Sequence, residues 1–420
     1  MHAVKHGWLT LEPGLAAAAV LLLLGSCSKE DARPPIETRA ATGNAARAME
    51  LAQELLIVDT HIDVPYRLLD EYEDVSQATE KGHFDHPRAV AGGLNASFMS
   101  IYTPALLQKK GGAKENADRL IDMVEVLAQR SPEKFAIAYS PDDVRRAFAE
   151  GRIALPIGME NAAPLEGEIS GLHYFYNRGV RYITLAHSEY NDISDSSYDS
   201  DKRNGGLSDF GKEVVREMNR LGVMVDISHL SDDAAHQVLD ITSAPVIASH
   251  SSVRHFTPGW ERNMPDDLIQ RLAENGGVIQ INFGSVFVNR AANDWAREYF
   301  PHVGGFSNEH ELIGIEPEAK AFAKGYKAAK PPPPAYLEDV LNNIDHVVRL
   351  VGIDFVGIGS DYDGVGSLPF GLEDVSTYPN LIAGLLGRGY SEEDIEKILG
   401  ANIMRVWSAV EGLAEPAQQP

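Results

Sequence analysis

Beyond residue 50, short and nearly unbroken apolar runs alternate with amphipathic stretches of helical period, the pattern of an α/β fold with a parallel sheet covered on both faces. Eight runs read as strands: 55–60 (LLIVDT), 94–102 (LNASFMSIY), 153–159 (IALPIGM), 180–186 (VRYITLA), 223–228 (VMVDIS), 245–249 (PVIAS), 277–283 (GVIQINF) and 355–360 (FVGIGS). Helix punctuation falls between them. Ser140 before Pro141, Asp142 and Asp143 gives an N-cap, a first-position proline and acid in the first turn. Ser231-Asp232-Asp233 and Pro265-Asp266-Asp267 open two further helices, and Ser391 with Asp394 forms a capping box. The stripe Leu337, Val340, Leu341, Ile344, Val347, Val348 is an amphipathic helix face. Eight strand–helix units without a composition break predict one (β/α)8 TIM barrel over 46–412. An open doubly wound sheet fits less well, because the first strand–helix turn lacks a Gly-rich phosphate fingerprint. The connection from the seventh strand to the eighth, 284–336, is long and carries Pro331–Pro334, which predicts a lid or inserted subdomain.

The N-terminus departs from this pattern. An apolar run of ten residues, LAAAAVLLLL, follows a short start carrying Lys5 and leads to Leu-Gly-Ser before Cys27. The run is too short to span a bilayer core of roughly 30 Å, so 1–26 reads as a cleaved export signal. The Leu-Gly-Ser-Cys sequence resembles the bacterial lipobox, which predicts lipidation of Cys27 and an exported protein anchored in the cell envelope. Ser28 rather than Asp after it points to the outer membrane. Residues 28–45, with Pro34-Pro35, read as a linker, and 413–420 as a disordered tail.

Composition narrows the function. The 420 residues include 61 acidic and 37 basic side chains, a net charge of −24, which disfavours nucleic acid as a partner. A single cysteine excludes a disulfide framework, a thiolate zinc site and an iron–sulfur cluster.

Chemistry concentrates where a barrel enzyme keeps it, at the C-terminal strand ends. His61 and Asp63 close the first run, Glu160 the third, His187 the fourth, His229 the fifth, His250 the sixth and Asp361 the eighth. One such histidine is unremarkable; four of 14, with three carboxylates, converge on one face. Unpaired buried charges cost several kcal/mol each, so a cation is the economical companion. Imidazole and carboxylate without thiolate suit Zn²⁺, with Mn²⁺, Co²⁺ or Fe²⁺ as alternatives. His61 and Asp63, two apart on a strand, can reach one ion, and His229 with His250 a second. Glu160 has two oxygens with which to bridge them. Such ion pairs, about 3.5–4 Å apart, serve hydrolysis.

The segments VDTHIDVPYRLLD, ALPIGMENAAPLEG, GVRYITLAHSEYNDISDSS, GLSDFGKEVVREMNRLGVMVDISHLS, APVIASHSSVR, RNMPDDLIQRL, VGIDFVGIGSDYDGV and GLEDVSTYPNLIAGLLGRGYSEEDI resemble the membrane (renal) dipeptidase family of metallopeptidases. The resemblance spans roughly 55–405. It implies a binuclear zinc dipeptidase, with His61 and Asp63 on one ion, His229 and His250 on the other and Glu160 bridging. Asp361 would then be the acid/base that moves a proton from the attacking hydroxide to the leaving amine. His187 would stabilise the tetrahedral oxygen, and Arg262 would grip the C-terminal carboxylate of the dipeptide. The family accepts a D-residue on the C-terminal side, and its members often form homodimers. Mammalian members carry a C-terminal lipid and disulfides, whereas this chain ends AEPAQQP and has one cysteine. Phe287 follows the seventh strand, with no tyrosine until Tyr299.

Other readings carry less weight. Amide or β-lactam hydrolases on the same barrel open with His-x-His and use a modified lysine, where this chain has His-x-Asp and a glutamate. A non-catalytic metal-containing binding lipoprotein would need neither Asp361 nor His187. His83 and His86 read as a solvated loop, as do Asp192, Asp195 and Asp199, which lack the EF-hand spacing. Asp363, followed by Gly364, reads as a turn and Asp361 as the functional carboxylate.

Overall fold

The computed structural model describes residues 40–300 and 325–415. Its strands are β1 (Ile57–Ile62), β2 (Leu94–Tyr102), β3 (Phe135–Ile137), β4 (Ile153–Leu155), β5 (Ile157–Glu160), β6 (Val180–Thr184), β7 (Met224–Asp226), β8 (Ile247–Ser251), β9 (Val278–Ile281) and β10 (Val356–Ile358). All neighbouring strands are parallel. β1 pairs with β2, and from β2 the sheet runs through β5, β6, β7, β8 and β9 to β10. The first and last strands then meet. Asp361 N–H donates to His61 O at 3.0 Å, and Asp63 N–H donates to Tyr362 O at 2.9 Å. The eight ring strands are the eight runs of the sequence, and the fold is the TIM barrel.

Two details differ from the sequence pattern. The third run divides at Pro156, which has no N–H to give the ladder. Its first half, β4, turns to pair with β3, while its second half, β5, stays in the ring between β2 and β6. β3 itself leaves little trace in the sequence, because it is only three residues long, Phe-Ala-Ile.

The interior is layered. Val58, Phe98, Tyr182, Met224, Ile247 and Val278 pack with Ile403, Trp407 and Val410 of the C-terminal helix Asn402–Leu413. Trp407 lies 5.1 Å from the Phe98 ring and is fully buried. A larger apolar layer lies between strands and outer helices. The helix starts are those read from the sequence: Ser140 accepts from Asp143 N–H at 3.1 Å, Ser231 from Ala234 N–H at 3.2 Å, and Ser391 from Asp394 N–H at 3.1 Å.

The first described helix, Ala40–Glu54, opens within the 28–45 stretch. The export signal, Cys27 and residues 416–420 lie outside the described residues, as do 301–324 of the long connection. What is described of that connection includes helices Ser285–Val288 and Arg290–Tyr299. Among the described residues no helix is long and apolar enough to cross a membrane.

Two polar loops are less solvated than their composition suggests. Asp195 is fully buried and accepts from Asn204 N–H and Gly206 N–H, both at 2.9 Å, which organises its own loop. His83 Nδ1 accepts from Asp363 N–H at 2.9 Å, and Asp363 returns the contact to His83 N–H at 2.5 Å. His83 is therefore a half-buried structural residue.

Candidate metal centre

The strand ends bring His61, Asp63, Glu160, His187, His229, His250 and Asp361 into one buried cluster. Glu160 is its hub. Its Oε1 lies 3.0 Å from His229 Nε2, 3.2 Å from His250 Nε2 and 3.5 Å from His187 Nε2. Its Oε2 faces the other way, 3.5 Å from His61 Nε2, which is 3.3 Å from Asp63 Oδ2. Three donor sets share these atoms: His61, Glu160 and His250; Glu160, His187 and His229; and His61, Asp63 and Asp361. The donors are nitrogen and oxygen only, and His61 Nε2 is buried with no hydrogen bond. That set fits a borderline divalent ion such as zinc.

The backbone is bent to make the cluster. His229, Asp361 and Asn161 adopt φ of +67°, +63° and +75°, a left-handed region that is unfavourable for residues with a Cβ and concentrated at functional sites. Asn161 follows Glu160 and is held by its amide, which donates to Thr103 O at 2.9 Å and accepts from Asn191 at 3.1 Å. Gly364 is required for a different reason. A Cβ there would lie 2.2 Å from Asp63 Oδ2 and 2.4 Å from Asp361 Oδ1, so only glycine lets the two carboxylates approach.

Hydrogen bonds fix which imidazole nitrogen is free. Tyr182 OH donates to Thr60 O at 3.1 Å and so accepts from His61 Nδ1–H at 2.7 Å. Ser249 Oγ donates to Asp226 Oδ2 at 2.6 Å and accepts from His250 Nδ1–H at 2.8 Å. In both cases Nε2 is the nitrogen left facing Glu160.

Burial dominates the electrostatics. It pushes the carboxyls of Glu160 and Asp361 above their ordinary values and holds His229 and His250 well below theirs, in the neutral form that binds metal. Burial also opposes charge on His61, but the Tyr182 oxygen, Asp63 and Glu160 outweigh it and raise that imidazole.

Arg262 joins the cluster, only 2% exposed. Its guanidinium donates to His250 O at 2.8 Å and Ser251 Oγ at 2.9 Å, approaches His229 Nε2 at 3.0 Å and lies over the Phe287 ring at 5.2 Å. Asp361 Oδ2 accepts from Asn282 Nδ2 at 2.6 Å. Asp363 points elsewhere, accepting from Arg67 Nε at 3.0 Å. The sequence pattern does not single out Tyr182, Asp226, Ser249 or Asn282. The one signal it offers is a carboxylate, Asp226, inside the apolar run VMVDIS, where it needs a buried purpose.

A parallel eight-stranded barrel with imidazoles and carboxylates gathered at its C-terminal strand ends belongs to the metal-dependent barrel enzymes. Residues 45–420 match the membrane dipeptidase family, peptidase family M19, and the chain belongs to that family, a metallopeptidase of the dipeptidase kind. It is 32% identical to the dipeptidase tcpJ of Claviceps purpurea, over 96% of this chain and 86% of that one. Among solved structures it resembles the probable dipeptidase PvdM from Pseudomonas aeruginosa, with a TM-score of 0.78 and 30% identity over 89% of this chain and 100% of that one. The fold is shared with a metallopeptidase from Rhodobacter sphaeroides liganded with a phosphinate mimic of the dipeptide L-Ala-D-Ala. There the TM-score is 0.70 and the identity 23%, covering 85% of this chain and 99% of that one.

Proposed function

We propose that the protein is a binuclear zinc dipeptidase that hydrolyses free dipeptides, including those with a C-terminal D-residue, at the surface to which Cys27 anchors it. The observation that carries this reading is Glu160, whose two oxygens face separate imidazole groups at 3.0–3.5 Å. Charge supports it. Buried Asp63, Glu160 and Asp361 share the cluster with one buried guanidinium, Arg262, which leaves a surplus of negative charge when all are ionised and favours a cation there.

In this reading His61 and Asp63 would hold one ion, His229 and His250 the other, with Glu160 placed between the two sets. When bound, such ions would supply Lewis-acid polarisation of the scissile carbonyl and a water made nucleophilic at neutral pH. Asp361, poised by burial, takes the proton from water and passes it to the leaving nitrogen. His187 steadies the developing oxyanion, where a positioned donor is most effective. Arg262 meets the substrate carboxylate and sets the dipeptide length.

The test is cleavage of L,L and L,D dipeptides, a tripeptide and an N-acetylated dipeptide, each with and without chelator. The expected result is chelator-sensitive hydrolysis of the free dipeptides alone. Cleavage of the blocked or longer peptides instead would move the reading to another amide hydrolase.

A further inference from the structure

Three of the imidazoles facing Glu160 are backed in three different ways. His250 rests on Ser249, whose hydroxyl passes the contact to Asp226. Asp226 is fully buried, accepts from Ser228 N–H at 3.0 Å and Ser249 N–H at 2.8 Å, and makes no ion pair among the described residues. His61 rests on a neutral phenol, Tyr182, which leads only to the carbonyl of Thr60. His229 Nδ1 has no hydrogen-bond partner.

An acceptor on the far nitrogen draws the Nδ1 proton and makes Nε2 a better donor, and a carboxylate at the end of the chain does so more than a phenol or nothing. Ser249 also locks the ring, since its hydroxyl has one proton and Asp226 can only accept it. We propose that Asp226, acting through Ser249, is a positioning residue that makes the His250 cation position the tighter of the two, so that it fills first and empties last. This rests on the two-ion reading above.

The test is zinc affinity, measured on the full-length protein by competition with a chromophoric chelator. The wild type should take up two ions in two resolved steps. Ser249→Ala and Asp226→Asn should each weaken the tighter step by about tenfold to a hundredfold, and Ser249→Thr, which keeps the hydroxyl, should restore it. Tyr182→Phe should weaken the other step. An unchanged tighter step in folded S249A and D226N overturns the proposal, as does equal weakening of both steps. A measurement without substitution tests the same point independently: crystals grown with one equivalent of zinc should show the ion on His250 Nε2. An ion on His61 and Asp63, with the His250 position empty, overturns it. A wild type that takes up no zinc defeats the two-ion reading itself, whereas two ions of equal affinity defeat only this inference.

Discussion

At the scale of single residues, Asp361 carries the heaviest assignment. In the proposed reading, Asp361→Asn keeps the shape and removes the basic oxygen, so both ions should stay bound while turnover falls by at least about a hundredfold. Metal content and kcat, measured on one preparation, check this. The pH profile follows from the same carboxyl. Burial raises it above its ordinary value, and only the ionised form accepts a proton, so the rate should fall as pH drops through the raised value. Asn282 opposes that shift by donating to Oδ2 at 2.6 Å, which favours the charged form. Asn282→Ala should therefore move the acid limb of kcat to higher pH; a limb that stays put would separate Asn282 from Asp361. The clustered histidines and carboxylates are legible in the sequence because each one closes an apolar run. Tyr182, Asp226, Ser249 and Asn282 are not, because they sit within or beside runs where polar groups look like interruptions, and their purpose depends on partners from other strands.

Between residue and fold lie the elements that aim these side chains. The turn after β10 places Asp361 and Gly364 against Asp63, and its Asp363 is clamped by Arg67 and His83. Gly364→Ala would put a methyl between two carboxylates that now approach its backbone. It should cost most of the activity and one bound ion while the unfolding midpoint changes little, a contrast that metal analysis and thermal unfolding can measure. Helix starts are readable one by one, because Ser140, Ser231 and Ser391 are local signals acting within three residues. Replacing Ser231 by Ala should cost about 1 kcal/mol in chemical denaturation. The division of the third run is not readable. Pro156 marks it, but whether a proline breaks a strand or merely sits on an edge is decided by the neighbour that comes to pair, here β3.

For the whole molecule, the barrel follows from counting runs, and family membership agrees with it. Location, in the proposed reading, is set by the N-terminus: with Cys27→Ser the protein should leave the membrane fraction and appear soluble with its activity intact, as fractionation would show. A net charge of this sign gives no attraction to anionic headgroups, so in that reading the lipid alone must hold it. Catalysis as proposed depends on two ions working together around Glu160. The direct measurement is to strip the protein with chelator and follow hydrolysis of a free dipeptide as zinc is returned in known amounts. Activity should be absent in the stripped protein and climb to a plateau at two zinc ions per chain. Activity that survives stripping, or a plateau already reached at one ion, would contradict it.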